Sequence, residues 1–369
     1  MHLSVFQGPV STGAATDLPL IELCLDHARR CADEGFAMVT FSEQHFNGYE
    51  PSTNPFLMAA RLSPHLGETY FGTTIVPLVF HDPRRVAEDS NIVDLLLRGR
   101  FVMGMSAGRA GFTPDFDTFG LDATRRQEIF ATKLDLLQRI RNRRAGDEPV
   151  TFDTGWDRGA VGGRMMPLSY RRDGAQVAVG TNSPKTVLET AERGWPVFLG
   201  PCRAEVAADL LARHRKTLED AGHSPEVIDD AGRKSLVTRH VFVGATDDEA
   251  WEMAERMAGR NPMMDRTQDT RSLRELAAAD PEGDPHRRNV DHVASWMLAG
   301  SPDRIVEQIH HYDRLGVRHL NVRFTVGPYQ PDLYHRSFEL FVREVLPHVN
   351  SELFPALGAG HINPEHLEG

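Results

Sequence analysis

The chain reads YFGTTIVPLVFHDPRRVAEDSNIVDLLLRGRFVMGMSAGRAG over residues 70–111, and this stretch decides the fold. Short runs rich in β-branched and aromatic residues predict strands at Tyr70–Val76 and Arg100–Met105. The amphipathic stretch Pro83–Leu97 between them predicts a helix, because Pro83 suits a first helical turn. Two strands joined by a helix form a β–α–β unit, in which the strands run parallel.

The same alternation continues along the chain in both directions. Further strands are predicted at Leu3–Gln7, Phe36–Thr40, Gln176–Gly180, Pro196–Leu199, Leu236–Val243 and His319–Phe324. Further helices are predicted at Pro19–Glu34, Asn54–Leu66 and Ala123–Arg143. Eight strands with helices between them predict an α/β fold, a TIM (β/α)8 barrel. The alternative is a doubly wound sheet, but no G-x-G-x-x-G phosphate loop follows the first strand.

Two segments depart from the strand–helix alternation. Residues 147–175 are rich in Gly and Arg and predict a hairpin or excursion before the fifth strand. Residues 259–293 are polar and predict a long insertion after the seventh strand, of the kind that forms a lid or a binding loop. We expect residues 1–369 to form one barrel domain that carries both insertions.

Composition and charge exclude several classes of function. A formal net charge of -11 disfavours nucleic acid as a partner, because phosphate backbones need a basic surface. The three cysteines include no CxxC pair, so neither a disulfide framework nor a structural zinc site is expected, and Cys24 and Cys31 are expected to face the core. The start of the chain resembles a barrel strand more than a signal peptide, and no apolar run is long enough for a membrane span. We therefore expect a cytoplasmic protein that does not bind membranes.

Polar residues follow the predicted strands at the end where TIM barrels carry their active sites. The second strand is followed by Glu43, Gln44 and His45, the third ends in Thr73 and Thr74, the fourth is followed by Ser106 and Arg109, and the fifth by Thr181, Asn182 and Ser183. Because all of these residues belong to one rim of the barrel, we expect them to form one site.

Two of these turns have the composition of a phosphate site. Thr181–Ser183 place hydroxyls and free backbone N–H groups at a helix N-terminus, which attracts anions. The alternative is an ordinary N-cap at Ser183 followed by Pro184. Arg109 lies in a turn between Gly108 and Gly111, where a guanidinium can contact phosphate bidentately or form a surface ion pair.

His45 is the candidate for proton transfer or hydrogen bonding, with Glu43 two positions earlier. Their spacing matches neither a helical metal pair nor an H-x-H set, so no metal site is expected. A purely structural histidine is the alternative. His81-Asp82-Pro83 is interpreted as a loop followed by a helix start.

The order and spacing of these motifs resemble the bacterial luciferase-like flavin monooxygenases. Most of the matching motifs lie within residues 1–200, and a weaker similarity occurs at Gly300–Asp303 and Leu315–Val317. The motifs of the first part are Glu43–Phe46, Asn54–Pro55, Gly72–Pro77, His81–Pro83, Ala87–Asp89, Asp94, Gly99–Phe101 and Asp115–Gly120. It implies a barrel that binds reduced FMN, with the phosphate on Arg109 and on Thr181 and Ser183. It also implies a non-proline cis peptide at Thr74–Ile75.

The resemblance further implies a two-component monooxygenase. A separate flavin reductase supplies reduced FMN, and O2 oxygenates a small organic substrate, carbonyl or natural-product-like; a homodimer is expected. The implied catalytic residues are His45, Gln44 and Ser106, and the implied cofactor contacts are Glu43, Thr73, Thr74, Ser106, Arg109, Thr181, Asn182 and Ser183.

One position departs from the family. The luciferases have two adjacent histidines after the second strand, the first being the base, and Gln44 stands at that first position here. Glutamine cannot take a proton at neutral pH, so either His45 does the acid–base work or the reaction needs no base there. Three alternatives stay open: a deazaflavin-dependent hydride-transfer enzyme on the same barrel, a non-catalytic flavin-binding or partner subunit, and a metal-dependent barrel hydrolase.

Overall fold

The computed structural model describes residues 1–46, 48, 50–109, 114–258, 271–279, 296–325 and 330–366. The strands are β1 His2–Gln7, β2 Met38–Phe41, β3 Tyr70–Pro77, β4 Phe101–Ser106, β5 Val150–Asp153, β6 Arg158–Val161, β7 Gln176–Gly180, β8 Val197–Leu199, β9 Leu236–Val243, β10 Met297–Gly300 and β11 His319–Arg323. The α-helices are α1 Ala14–Asp33, α2 Pro55–Leu62, α3 Pro83–Leu96, α4 Pro114–Thr118, α5 Arg126–Ile140, α6 Pro184–Glu192, α7 Ala204–Asp220, α8 Pro225–Lys234, α9 Asp247–Ala258, α10 Leu273–Ala279, α11 Pro302–Arg314 and α12 Pro331–Leu340.

Eight parallel strands of the described chain close into a barrel, which confirms the predicted TIM fold. Their order is β1, β2, β3, β4, β7, β8, β9 and β11, and β11 closes the ring by pairing with β1. The strand β10 was not predicted. It pairs with residues 240–243 of β9, outside the ring of eight, and its sequence MLAG contains no β-branched or aromatic residue to indicate a strand.

The first predicted insertion is confirmed as a hairpin. Within residues 147–175, β5 and β6 pair antiparallel, with Val150 opposite Val161. The chain returns to the barrel at the buried Asp94, whose carboxylate accepts hydrogen bonds from the Ser169 hydroxyl and the Arg171 N–H. The second predicted insertion, residues 259–293, lies outside the described residues except for 271–279, which include α10.

The helix α1 begins earlier than its pattern predicts. It starts at Ala14, so Pro19 lies inside the helix, and Ser11 binds Asp17 across the first turn at 2.6 Å. Its buried face includes Cys24 and Cys31, which confirms the predicted packing of both thiols in the core. No α-helix among the described residues is both long enough and apolar enough to cross a bilayer.

A segment near the end of the chain covers the floor of the barrel, at the N-terminal ends of the strands. In this segment, residues 350–366, Phe354 is buried, and its ring lies 4.7 Å from that of His2, 5.2 Å from that of Tyr70 and 5.3 Å from that of His319. The Phe354 ring therefore covers the N-terminal ends of β1, β3 and β11, and we call the opposite end of the barrel, at the C-terminal ends of the strands, its mouth.

Polar side chains at alternate positions of β11 face the barrel interior. His319 hydrogen-bonds Ser4 near the floor, and the Asn321 amide donates to the Thr40 hydroxyl at 3.1 Å in the middle layer. Arg323 follows at the open end. This two-residue period is that of a strand with one face turned into the barrel.

Candidate active site

The C-terminal ends of β2, β3 and β4 bring the predicted polar residues together at the mouth. These strands are neighbours in the barrel, and Phe41 of β2 lies opposite Thr73 of β3. The residues after β2 and the residues after β3 therefore start from the same edge of the sheet. This placement agrees with the sequence expectation of one shared rim.

Glu43 lies at the centre of a hydrogen-bonded cluster with two histidines. Its Oε1 accepts from Nε2 of His45 at 2.6 Å and from Nε2 of His81 at 2.5 Å. The Glu43 side chain is 1% exposed, whereas those of His45 and His81 are 14% and 26% exposed. Its second oxygen, Oε2, is buried without a hydrogen-bond partner among the described residues. The carboxylate thus fixes both imidazole rings with N–H at Nε2.

The same three side chains are also a donor set that a divalent metal accepts, since their ligand atoms lie within 4.8 Å of one another. Ligands around a tetrahedral zinc, however, lie about 3.3 Å apart at ordinary bond lengths. Here each imidazole nitrogen is at hydrogen-bond distance from the carboxylate oxygen, so we treat the cluster as a hydrogen-bonded unit. The absence of a metal site stays a prediction.

Aromatic rings line the side of the mouth next to this cluster. The rings of Phe80 and Phe119 stack at 4.7 Å with an angle of 16° between their planes. The His45 ring meets the Phe119 ring edge-on at 5.1 Å. Phe46 is 84% exposed, and its φ of 50° is a left-handed conformation that costs a non-glycine residue about 1–2 kcal/mol. We call Phe46, Phe80 and Phe119 the aromatic wall.

A second charged pair, which the sequence analysis missed, lies at the ends of the neighbouring strands β11, β1 and β2. Arg323 donates from Nη2 to Oε1 of Glu50 at 2.5 Å and to the carbonyl of Gly8, and from Nε to the carbonyl of Thr325. The other carboxylate oxygen of Glu50 accepts from the Ser42 hydroxyl. Both charged side chains are buried, so the pair joins the ends of β1, β2 and β11.

The end of β3 carries the predicted cis peptide at Thr74–Ile75. The Thr73 hydroxyl donates to the Gly104 carbonyl at 2.8 Å and so belongs to the barrel wall, whereas the buried Thr74 hydroxyl has no hydrogen-bond partner among the described residues. Ser106, at the end of β4, accepts from the Gly108 N–H at 3.1 Å. Cofactor contacts for these threonines and a catalytic role for Ser106 stay predictions.

The predicted phosphate turns lie on neighbouring strands, because β4 pairs with β7. The Thr181 hydroxyl accepts from the Ser183 N–H at 3.0 Å, and Ser183 is the N-cap of α6 but makes no side-chain capping bond. The ordinary N-cap interpretation therefore does not account for its hydroxyl. Asn182 has a buried Oδ1 without a hydrogen-bond partner in the described chain. Arg109 is exposed in the turn after β4, and its predicted neighbour Gly111 lies outside the described residues.

Sequence reasoning missed His81, Glu50 and Arg323, and it placed Gln44 correctly at the rim. Gln44 is half-buried, and its backbone N–H donates to the Ser52 carbonyl at 2.9 Å. Alternating polar residues in β11 were a usable signal for Arg323, because a charge in a buried strand has to face a partner. Nothing in the spacing of His81 from Glu43 indicates that they meet.

Comparison with known proteins agrees with this architecture. The family model for luciferase-like monooxygenases matches residues 1–319. The 4-hydroxyprotoasukamycin monooxygenase of Streptomyces nodosus subsp. asukaensis is 26% identical over 334 residues, which cover 86% of this chain and 84% of that protein.

Solved structures share the fold at lower identity. The oxygenating constituent of 3,6-diketocamphane monooxygenase from Pseudomonas putida, solved with FMN, has a TM-score of 0.73 and 18% identity, with 96% of this chain and 100% of that chain covered. An F420-dependent secondary alcohol dehydrogenase has a TM-score of 0.68 and 15% identity, with 95% and 99% covered. The family match spans most of the chain, and the chain therefore belongs to the luciferase-like monooxygenases, a family of oxidoreductases.

Proposed function

We propose that this chain is the oxygenase of an FMN-dependent two-component monooxygenase. In this proposal a separate flavin reductase delivers reduced FMN, and the chain uses O2 to oxygenate a small organic substrate, carbonyl or natural-product-like. The observation that carries the proposal is the pair of neighbouring turns, after β4 and β7, that offer an arginine and a helix N-terminus to one anion.

The residues at these turns suit the phosphate of FMN. Ser183 has a hydroxyl that does not cap its own helix, and Asn182 has a buried oxygen without a partner among the described residues. Arg109 supplies a cation beside them, and Gly108, at φ 78°, lets the chain turn tightly there. We propose that Arg109, Thr181, Asn182 and Ser183 bind the phosphate.

The mouth suits the ring of the flavin. When bound, reduced FMN supplies the electrons that reduce O2, so that one oxygen atom enters the substrate and the other leaves as water. The chain orients the ring and excludes water. We propose that Thr73, Thr74 and Glu43 lie beside the ring and that Ser106, Gln44 and His45 contact the ring or the reacting groups. His45 holds its proton-accepting nitrogen in place through Glu43.

A homodimer is the proposed assembly. Three large apolar side chains, Leu57 of α2 and Ile92 and Leu96 of α3, are exposed on helices that pack against each other. An apolar surface shared by two neighbouring helices is the kind that a second copy covers. Light scattering on the purified chain tests this, and a monomer that persists at micromolar concentration would contradict it. The cytoplasmic location stays a prediction.

Anaerobic binding of reduced FMN tests the proposed cofactor. We expect Arg109→Met to weaken binding of reduced FMN about 10- to 100-fold, since a charge-assisted hydrogen bond contributes about 1.5–3 kcal/mol. Arg304→Met, on an exposed pair with Glu307, is the matched control and should bind like the wild type. Equilibrium dialysis with reduced FMN and with F420 measures both affinities.

Two of the alternatives, the deazaflavin-dependent enzyme and the non-catalytic subunit, predict different results. Tight binding of F420 without binding of reduced FMN would establish the deazaflavin alternative and refute the proposal. Tight binding of reduced FMN, combined with oxidation as fast as that of free flavin and no substrate turnover, would identify a non-catalytic subunit.

A further inference from the structure

The cluster around Glu43 and the aromatic wall lie side by side, and together they select a substrate. The imidazole of His45 contacts both, since it donates to Glu43 and meets the Phe119 ring edge-on. A proton-accepting group is thereby fixed beside aromatic side chains.

The first feature is an oriented base. Because Nε2 of His45 donates to Glu43, the proton of the neutral ring is on Nε2 and the lone pair is on Nδ1. Among the described residues the one hydrogen bond of the His45 ring is that of Nε2 to Glu43, and the His45 side chain is 14% exposed. A carboxylate behind a histidine fixes its tautomer and stabilises the imidazolium that forms when the ring takes a proton. His81 donates to the same oxygen of Glu43, so this second hydrogen bond helps to fix the position of the carboxylate.

The second feature is the aromatic wall. The rings of Phe80 and Phe119 stack on each other, and the exposed ring of Phe46 lies 6.2 Å from Phe119 and 6.3 Å from His45. Phe46 is held in a left-handed backbone conformation while its ring is 84% exposed. An unfavourable conformation that presents an apolar ring to solvent is typical of a ligand contact.

We propose that the site takes a planar substrate with an acidic hydroxyl, a phenol or an enol, whose ring packs on the aromatic wall and whose proton passes to Nδ1 of His45. The O–H bond of the substrate breaks and an N–H bond forms on His45. The substrate becomes a phenolate or enolate, and the new imidazolium pairs with the Glu43 carboxylate, so the net charge is unchanged. This inference rests on the proposed function and gives its substrate a chemical class. His45 takes the role that Gln44 cannot fill.

Further charged groups lie around the cluster. Burial raises the pKa of Asp115, on which His45 and Arg109 act in the opposite direction, and burial also raises the pKa of Asp89 beside His81. The Lys133 ammonium donates to the backbone carbonyl of His81 at 2.6 Å, and burial lowers its pKa. One acid thus lies near each histidine, and the Lys133 ammonium contacts the backbone of His81.

The experiment uses 4-nitrophenol as a probe, because its phenolate has its own absorption band. The full chain without flavin is titrated with the probe at a series of pH values, and the band gives the pKa of the bound phenol. We expect binding to lower that pKa by about one unit, a tenfold shift in ionisation. His45→Gln should abolish the shift. Glu43→Gln, which keeps a hydrogen-bond acceptor but removes the charge, should reduce it.

Two further variants separate the base from the wall. Phe46→Ala should weaken binding of the probe about two- to tenfold without changing the pKa of the bound phenol. His311→Gln removes a histidine that pairs with Glu205 at an exposed site and should leave both quantities unchanged. Circular dichroism confirms that each variant is folded.

Three results would overturn the proposal: no binding of 4-nitrophenol, ionisation of the bound probe as in water, or an equal shift in wild type and His45→Gln. If the chain instead binds the neutral ketone acetophenone and not the phenol, the substrate class is carbonyl. No flavin is present in this assay, so its failure leaves FMN binding untouched, and loss of FMN binding would leave its result standing.

Discussion

The buried pair of Glu50 and Arg323 gives a quantitative test of how the mouth is held together. Changing Glu50 to glutamine keeps the volume but leaves the Arg323 guanidinium buried without its counter-charge, with the Gly8 and Thr325 carbonyls as its other acceptors. Breaking a buried ion pair on one side costs about 3–5 kcal/mol.

This free energy converts into a shift in melting temperature. An entropy of unfolding of about 2.1 cal/mol/K per residue gives roughly 0.8 kcal/mol/K for 369 residues. We therefore expect Glu50→Gln to melt about 4 to 6 °C below the wild type in thermal scans at a fixed rate. The matched control is Glu307→Gln, whose exposed pair with Arg304 contributes about 0–1 kcal/mol and should shift melting by about 1 °C or less.

A double-variant cycle decides whether the pair itself is responsible. The loss of unfolding free energy in Glu50→Gln/Arg323→Met should be smaller than the sum of the losses in the two single variants, by more than about 1 kcal/mol. The reason is that the second substitution removes the buried charge that the first one leaves unpaired. Additive losses, or a Glu50→Gln variant that melts with the control, would refute the reasoning.

Three more predictions follow from other parts of the barrel. Gly104→Ala should prevent stable folding, because the added Cβ would lie 2.2 Å from the backbone oxygen of Thr73. The control is Gly360→Ala, whose Cβ would meet nothing within 4 Å. Soluble yield and circular dichroism measure the folding of both variants, and a folded Gly104→Ala protein would show that β3 and β4 do not pack this closely. Phe354→Ala should lower the free energy of unfolding by about 3–5 kcal/mol, because it leaves a cavity at the floor of the barrel. Denaturant titration measures this free energy, and a loss below about 1 kcal/mol would show that the Phe354 ring does not stabilise the floor. Burial lowers the pKa of His27 to about 3, so the unfolded chain binds the extra proton between about pH 3 and 6.5 and stability falls as the pH drops through that window. His27 contributes about 2 kcal/mol to the loss of unfolding free energy between pH 7 and pH 5, and the buried His319, with its pKa also lowered to about 3, adds to the loss in the same window. His27→Gln should therefore lose about 2 kcal/mol less than the wild type, and an unchanged pH dependence in that variant would exclude His27 as a cause.

The barrel was predictable because its signals are local. Each predicted strand is a short apolar run followed within a few residues by polar groups, as at Arg100–Met105 before Ser106, and this pattern depends only on neighbours in sequence. The strand β10 was missed because Met297–Gly300 contain no β-branched or aromatic residue, and α1 begins at Ala14, five residues before the predicted Pro19.

The site was predictable only in part, because its contacts are long-range. The rim residues after β2, β4 and β7 could be grouped since the barrel places all strand ends together. The bond from His81 to Glu43 spans 38 positions and that from Arg323 to Glu50 spans 273, and the side-chain directions that create them depend on packing. The contacts that the rim residues make with a cofactor or a substrate stay predictions made from the sequence.

The pairing of β1 with β11 has a consequence for synthesis of the protein. His2 lies opposite His319, so the outer edge of the first strand has no partner until more than 300 further residues have been translated. At about 5–20 residues per second the ribosome needs roughly 15 to 60 s for that length, during which the nascent chain presents an open strand edge. Open edges invite pairing with other chains. Closure of the ring is thus a late event of biosynthesis, and ribosome-bound chains that stop before residue 319 should be the species that chaperones bind.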